Sequence, residues 1–174
     1  MAENKLPTIL TDRLLLRKII DSDLENIYNG LSNPKITQYY GVSYNSLEAT
    51  KEQMTWFADK KQLWWAICDV NTKIFYGAGG LNDIDDKTNT AEIGLWLLPD
   101  FWGNGIMKEV LPLICNYGFK HLFLKRIEGF VESNNKNCKR AMAKLDFKLE
   151  KTVPDFEIKN GKPISVDIYA KTNQ

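Results

Sequence analysis

The chain of 174 residues contains very little histidine and cysteine, and this scarcity excludes several kinds of catalytic site. Its single histidine, His121, rules out histidine clusters that hold zinc, and any Ser–His or Cys–His nucleophile would depend on that one side chain. The three cysteines are odd in number and have no paired spacing, so they predict neither a disulfide framework nor a metal site and favour a reducing compartment. The sequence also lacks the Gly-Lys-Ser/Thr phosphate loop and the His-Glu-x-x-His pair. We therefore expect no metal.

An excess of one charge and a long apolar run are also lacking. The 23 Lys and Arg residues nearly balance the 22 Asp and Glu residues, which argues against a nucleic-acid binder that works through a general basic field. No apolar run approaches the roughly 20 residues that span a bilayer, and residues 1–7 lack the apolar region of a signal peptide. We expect a cytoplasmic protein that binds neither nucleic acid nor membrane.

The patterns that are present predict one mixed α+β domain over residues 1–174, because strand and helix periodicities alternate without a linker. Pro112 falls inside a predicted helix and predicts a kink or an early end there. Asn160-Gly161 predicts a tight hairpin turn. In chain order the predicted elements are a strand at 9–19, a helix from about 24 capped within 21–23, a helix capped by Ser46, strands at 64–69, 74–81 and 90–98, a helix at 105–122, a strand at 126–131, a helix at 134–145, and hairpin strands at 147–159 and 162–171.

One turn carries most of the chemical information. The strand that ends at Leu98 leads through a proline turn into Gly103-Asn104-Gly105, which opens a helix. Backbone amides at the start of a helix lack partners, and the helix dipole adds about half a positive charge there. Glycines let a phosphate approach those amides, so the turn predicts an anion site, or alternatively a simple helix cap. A dinucleotide fold would need a third glycine at the position of Lys108.

Four separated segments carry a family resemblance: Leu10-Thr-Asp-Arg-Leu-Leu-Leu-Arg-Lys, Ala91–Leu97 with Pro99–Glu109, Glu132–Phe147, and Asn160-Gly161 with Asp167-Ile-Tyr-Ala. In order and spacing they resemble the GCN5-related N-acetyltransferases (GNAT), in particular the branch that acetylates the N-termini of ribosomal proteins. The resemblance implies the GNAT acyl-CoA N-acyltransferase fold: an α+β domain with a mixed, mostly antiparallel sheet of six to seven strands, helices on both faces and a splayed strand pair. Homodimers are usual in this branch.

The resemblance also implies acetyl-CoA as co-substrate. In this family the amides of one strand bind the pantetheine arm, the glycine turn binds the diphosphate, and an asparagine contacts the pantetheine. The matching residues are Leu95, Trp96 and Leu97 for the strand, Gly103, Asn104, Gly105, Ile106, Met107 and Lys108 for the turn, and Asn135 for the asparagine.

Three residues are predicted to be catalytic. Glu157 matches a glutamate regarded as the base in the ribosomal branch, and Glu92 lies where other branches place their base, although either could be an exposed, ion-paired carboxylate. Met142 replaces the tyrosine that protonates the leaving thiolate in many relatives. Cys138 matches an alternative serine donor, and its ordinary pKa near 8.5 resembles that of the departing thiol, although most free cysteines are core residues.

The activity that the resemblance implies is transfer of an acetyl group from acetyl-CoA directly to an amine. The acceptor predicted first is a protein N-terminal α-amine, which loses its proton far more readily than a lysine. The alternatives are a small amine (a polyamine, an amino sugar or an antibiotic) and a non-catalytic acyl-CoA-binding module.

Overall fold

A computed structural model describes residues 6–174, which form eight strands and five α-helices. Residues 1–5, which belong to the stretch predicted to lack a signal peptide, lie outside the described residues. Most predicted elements are confirmed to within two residues at each end. The strands are β1 (Ile9–Leu10), β2 (Leu14–Lys18), β3 (Leu63–Asp69), β4 (Phe75–Asp85), β5 (Thr90–Leu97), β6 (Arg126–Glu132), β7 (Lys148–Lys159) and β8 (Lys162–Thr172), and the helices are α1 (Leu24–Leu31), α2 (Pro34–Thr37), α3 (Leu47–Phe57), α4 (Ile106–His121) and α5 (Lys136–Lys144).

The strands follow the order β1-β2-β3-β4-β5-β6-β8-β7. The β5–β6 pair is parallel, whereas β1–β2, β2–β3, β6–β8 and β7–β8 are antiparallel. The sheet has eight strands rather than the predicted six to seven because the predicted strand at 9–19 is two strands. The chain reverses between them, where the amide of Thr11 donates to the carbonyl of Leu14 and the amide of Leu14 donates to the Thr11 hydroxyl.

The described chain divides into two compact units, each built from two separate segments. Unit 1 contains residues 6–80 and 95–104, and unit 2 contains residues 81–94 and 105–174. Strands β4 and β5 therefore each contribute residues to both units. The prediction of a single domain over residues 1–174 stays a prediction.

The core of unit 1 packs α1 against β3 and the end of β5 through large apolar side chains. Gly30 of α1 lies against the indole of Trp96, because a Cβ added at Gly30 would come within 2.1 Å of the ring atom Cζ3. The ring of Phe75 lies 5.9 Å from that of Trp96, which is 4% exposed. Burial raises the pKa of the Cys68 thiol in the same core. The packing of Trp96 fixes the strand whose amides are predicted to bind pantetheine.

Two predicted helix caps in unit 1 have different outcomes. Ser46 caps α3 as predicted, since its hydroxyl accepts the amide of Ala49 at 3.0 Å. The side chain of Asp23, at the start of α1, does not cap that helix. Its carboxylate instead accepts the amide of Ile20 and two hydrogen bonds from Arg17, because the Asp23 side chain is nearly buried and the guanidinium compensates its charge.

In unit 2, α4 runs unbroken past Pro112, so the predicted early end does not occur. Pro112 is exposed, and it lacks the N–H that would donate to the carbonyl of Lys108. Gly118 brings the helix close to the sheet: a Cβ there would lie 3.1 Å from side-chain atoms of Leu81, Leu124 and Ile127. Leu111 and Ile114, which lie on either side of Pro112 in the chain, are also buried, so this part of α4 is packed on its inner face.

The hairpin of β7 and β8 turns at Asn160-Gly161 as predicted. Both residues have left-handed backbone angles, with φ of 51° and 74°, which a type I′ turn requires. The two strands pair from Lys159 and Lys162 at the turn to Lys148 and Ala170. The turn therefore sets the register of the pairs next to it, and two irregularities, between Val153 and Glu157 and between Leu149 and Lys151, shift the register farther along the hairpin.

Replacing Pro112 with alanine is expected to stabilise the protein. The new amide can donate to the carbonyl of Lys108, so we expect the free energy of unfolding in urea to rise by about 1–3 kcal/mol. Asn116→Ala, at another exposed position of α4, is the matched control and should gain less than about 0.7 kcal/mol, the ordinary difference in helix propensity. Equal gains in the two variants would contradict this account of Pro112.

Candidate active site

The end of β5 lies in unit 1 and leads into a tightly bonded turn. The amide of Leu98 donates to the carbonyl of Tyr76 at 2.8 Å, and one turn of 3-10 helix, Pro99–Phe101, follows. The indole N–H of Trp102 donates back to the carbonyl of Leu97 at 2.8 Å. The chain therefore leaves the strand in a fixed direction at the place where the predicted pantetheine contacts end.

The glycine turn has the backbone conformation that its sequence predicts. Gly103 and Gly105 have φ of 78° and 74°, a region that side chains with a Cβ rarely adopt. The space around Gly103 is open, since a Cβ there would meet nothing within 4 Å. Between the glycines, the side-chain amide of Asn104 donates to the carbonyl of Phe101 at 3.1 Å. The turn thus combines a fixed backbone with an open surface.

Arg13 bonds this turn from the other end of the chain. Its Nη1 donates to the carbonyl oxygen of Asn104 at 2.8 Å, across a separation of 91 residues. Sequence reasoning missed Arg13 as a member of the site. The residue stands inside the first segment of the family resemblance, but no spacing rule connects it to the turn.

Helix α4 begins directly after the turn, with Gly105 as its N-cap. The helix has 16 residues, long enough for its dipole to favour an anion at this end. Three further predicted contacts occupy its first turn: Ile106 is buried, Met107 is half-buried and Lys108 is exposed. The exposed ammonium of Lys108 adds positive charge where the diphosphate is predicted.

Asn135 and Cys138 lie together at the start of α5 in unit 2. Asn135 is the N-cap, and its side-chain oxygen accepts the amide of Cys138 at 3.2 Å, which leaves the NH₂ group of Asn135 as its donor. Burial raises the pKa of the Cys138 thiol to about 11. The thiol is therefore a weaker acid than the prediction assumed. Met142 of the same helix is 3% exposed and contacts Gly129 of β6, as a core residue does.

A buried carboxylate fixes the position of this helix. Asp167 of β8 is 2% exposed and accepts hydrogen bonds from Ser133 and Thr152, and it forms an ion pair with Lys139 of α5. Burial alone would raise the pKa of Asp167, but the bonds from Lys139, Thr152 and Ser133 outweigh it and leave the pKa lowered. Asp167 thus anchors α5, and with it Asn135, to the sheet.

Glu92 has the electrostatic character of a base. Burial raises its pKa to about 7, and the negative charges of Asp83 and Glu128 act in the same direction. Glu128 is its direct partner in the parallel ladder of β5 and β6, and that ladder ends at this pair. The family resemblance predicts a strand pair that opens, and pairing stops here although both strands continue.

Glu157 has a different environment from Glu92. It is exposed on β7, next to Phe156 and Ile158, which are 50% and 78% exposed, and the ladder is irregular between Val153 and Glu157. Strands β6 and β8 lie between β5 and β7 in unit 2, which corresponds to roughly 14 Å at normal strand spacing. The structure therefore does not bring the two predicted bases together.

Within residues 6–174, no group of three or more His, Cys, Asp or Glu side chains is arranged to hold a metal ion. None of the helices in that range combines the length and the apolar character needed to cross a membrane.

The chain matches a family model and a curated relative over most of its length. The model described as "Acetyltransferase (GNAT) domain" matches residues 13–148. An uncharacterized N-acetyltransferase of Bacillus subtilis (strain 168), YoaA, is 34% identical over 169 residues. The match covers 94% of this chain and 96% of the YoaA chain.

Solved structures share the fold. A spermidine N-acetyltransferase from Vibrio cholerae, in complex with CoA and spermine, has a TM-score of 0.86 at 22% identity. The match covers 93% of this chain and 96% of the Vibrio cholerae chain. A ribosomal L7/L12 α-N-protein acetyltransferase, with coenzyme A disulfide-bonded to a cysteine, has a TM-score of 0.85 at 21% identity and covers 95% and 98%. The predicted fold class is confirmed.

Glu92 makes the stability of the protein depend on pH. Its folded pKa of about 7 lies above the ordinary 4.5, so the protonated form favours folding, and that contribution is present below about pH 4.5 and lost as the pH rises through 7. As the pH rises from 5 to 8, the free energy of unfolding of Glu92→Gln in urea should increase relative to that of the wild type. Glu157→Gln, which removes an exposed carboxylate, is the control. A difference between wild type and Glu92→Gln that stays constant with pH would contradict the burial of this charge.

Proposed function

The chain belongs to the GNAT acetyltransferase family, and from this premise we propose that its acceptor is the α-amine of a protein N-terminus. The coarser activity follows from the family: the chain is an acetyl-CoA-dependent N-acetyltransferase. That membership favours an enzyme over the non-catalytic acyl-CoA-binding module. The ribosomal class of acceptor and a homodimeric state belong to the proposal.

The cofactor residues fit the group that they are proposed to hold. The open surface at Gly103 and the N-terminus of α4 suit an anionic diphosphate, and the amides of Leu95, Trp96 and Leu97 suit the peptide-like pantetheine arm. The remaining proposed contacts are Asn104, Gly105, Ile106, Met107, Lys108 and Asn135. When bound, acetyl-CoA supplies an acetyl group activated as a thioester.

The pKa of Glu92 carries the proposal. A carboxylate with a pKa of about 7 can accept a proton from an α-ammonium group with a pKa of about 7.7–8.0, whereas a lysine-like amine near 10.4 is a much poorer match. In the proposed step the amine nitrogen bonds to the thioester carbon, its proton goes to Glu92, and the C–S bond breaks with the electron pair on sulfur. We propose Glu92 as the base on this ground.

Glu157 is the second candidate for the base. Its exposure lets an acceptor peptide reach it. This exposure also suits a residue that binds the acceptor without receiving its proton. Separate variants of the two glutamates distinguish the roles.

We propose that Cys138 lies next to the leaving thiolate. Its raised pKa makes it a poor proton donor to that thiolate. A thiol with a pKa of about 11 gives its proton poorly to a thiolate whose acid has an ordinary pKa near 8.5. A thiolate of that pKa can leave and take its proton from solvent. The high pKa also argues against a covalent acetyl-cysteine step, since the thiolate is the nucleophile.

The acceptor class is tested by measuring release of coenzyme A thiol with a panel of amines. We expect peptides with free N-termini to accelerate release at least tenfold more than spermidine, an amino sugar or an aminoglycoside at equal concentration, because the base matches an α-amine. An N-terminally blocked copy of each peptide that retains a lysine is the control. Faster release with a small amine than with every peptide would make the small-amine alternative correct.

The two glutamates are tested as a matched pair of Gln variants. Glu92→Gln should lower kcat by about 10²-fold or more and remove the rise in kcat/KM that the wild type shows as the pH passes 7. Glu157→Gln should change the acceptor KM and keep the pH profile. The reverse result, with the profile lost only in Glu157→Gln, would assign the base to Glu157.

A further inference from the structure

We propose that Arg13 is a positioning residue for the diphosphate of coenzyme A, acting through the backbone carbonyl of Asn104. The inference rests on the proposed function, since it concerns the same cofactor turn. It adds a residue from the first strands of the chain, which neither the glycine pattern nor the predicted contacts include.

The hydrogen bond is well placed for this role. Nη1 of Arg13 lies 2.8 Å from the Asn104 oxygen, the length of a charge-assisted bond. The backbone of Arg13 is itself fixed, because its carbonyl accepts the amide of Val70 at 2.9 Å and β2 begins at the next residue. A sheet-anchored cation therefore bonds the turn at one defined atom.

The carbonyl of Asn104 shares a peptide unit with the amide of Gly105. A trans peptide is planar and its C=O and N–H point in opposite directions, so a group that fixes the oxygen also fixes the direction of that N–H. A positive donor on the oxygen polarises the unit and makes the N–H a stronger donor. Arg13 thus sets the orientation and strength of the amide at the N-cap of α4, where the anion is proposed to bind.

The turn needs such a bond because of its glycines. Its first half is held by the bond from Leu98 to Tyr76 and by the Tyr76 and Phe101 rings, whose centroids are 4.4 Å apart. Its second half contains Gly103 and Gly105, which lose more conformational freedom on ordering than other residues. The bond from Arg13 orders that half before the ligand arrives, and an ordered site binds more tightly.

The proposal is tested with two acetyl donors. Acetyl-CoA carries the diphosphate and acetyl-pantetheine lacks it, so Arg13→Ala should raise the KM for acetyl-CoA by about tenfold or more while changing kcat/KM for acetyl-pantetheine less than twofold. Arg13→Lys, which keeps the charge but loses the planar donor pair, should recover part of the loss. Lys18→Ala, which removes an exposed cation at the far end of β2, is the control and should change neither.

Equal losses with both donors would overturn the proposal, because they would show that Arg13 supports the fold rather than diphosphate binding. No loss with either donor would overturn it as well. If Arg13→Ala fails to fold, the two donors are compared with Arg13→Lys instead. The KM of that variant should then rise for acetyl-CoA and stay unchanged for acetyl-pantetheine.

Direct binding separates this proposal from the proposed function. Calorimetry with coenzyme A and with pantetheine requires no acceptor amine. A wild type that does not bind coenzyme A would refute the cofactor site itself. A wild type that binds coenzyme A, with an Arg13→Ala variant of equal affinity, would refute only the role of Arg13.

Discussion

The hydrogen bond from the amide of Leu98 to the carbonyl of Tyr76 determines where β5 stops and the turn begins. Every proposed cofactor contact on the strand lies just before this bond, and every contact on the turn lies after it. The packing of Trp96 on Gly30 holds the strand side, and the indole of Trp102 ties the turn back to Leu97. The strand end and the turn up to Asn104 are therefore an extension of the unit 1 core.

The proposed chemistry depends on burial, which acts in opposite ways on the candidate groups. A carboxylic acid becomes a better base when its charge is buried, so Glu92 approaches the pKa of an α-amine. A thiol becomes a weaker acid for the same reason, so Cys138 moves away from the pKa of its proposed partner. One physical effect thus supports the proton acceptor and weakens the proton donor.

Features that depend on a few consecutive residues could be predicted from the sequence. The Asn160-Gly161 turn and the Ser46 cap are of this kind, and each is present as predicted. Features that tertiary contacts decide could not be predicted in this way. The exposed ring of Pro112 is tolerated because the helix around it is closely packed, and Asp23 binds Arg17 instead of capping its helix.

The candidate site divides in the same way. The glycines and the helix start were visible as a pattern. The raised pKa of Glu92 instead comes first from burial and then from the charges of Asp83 and Glu128 on neighbouring strands, which only the tertiary structure shows. The contact between Arg13 and Asn104 spans 91 residues and could not be read from spacing.

The passage of β4 and β5 through both units has a practical consequence for protein engineering. Any contiguous fragment that contains one unit whole also carries residues of the other, so truncation at one point cannot isolate one of them. A chimera that takes unit 1 from a relative has to graft residues 6–80 together with residues 95–104. The borrowed strand end and glycine turn would then arrive with the arginine and the tyrosine that hold them.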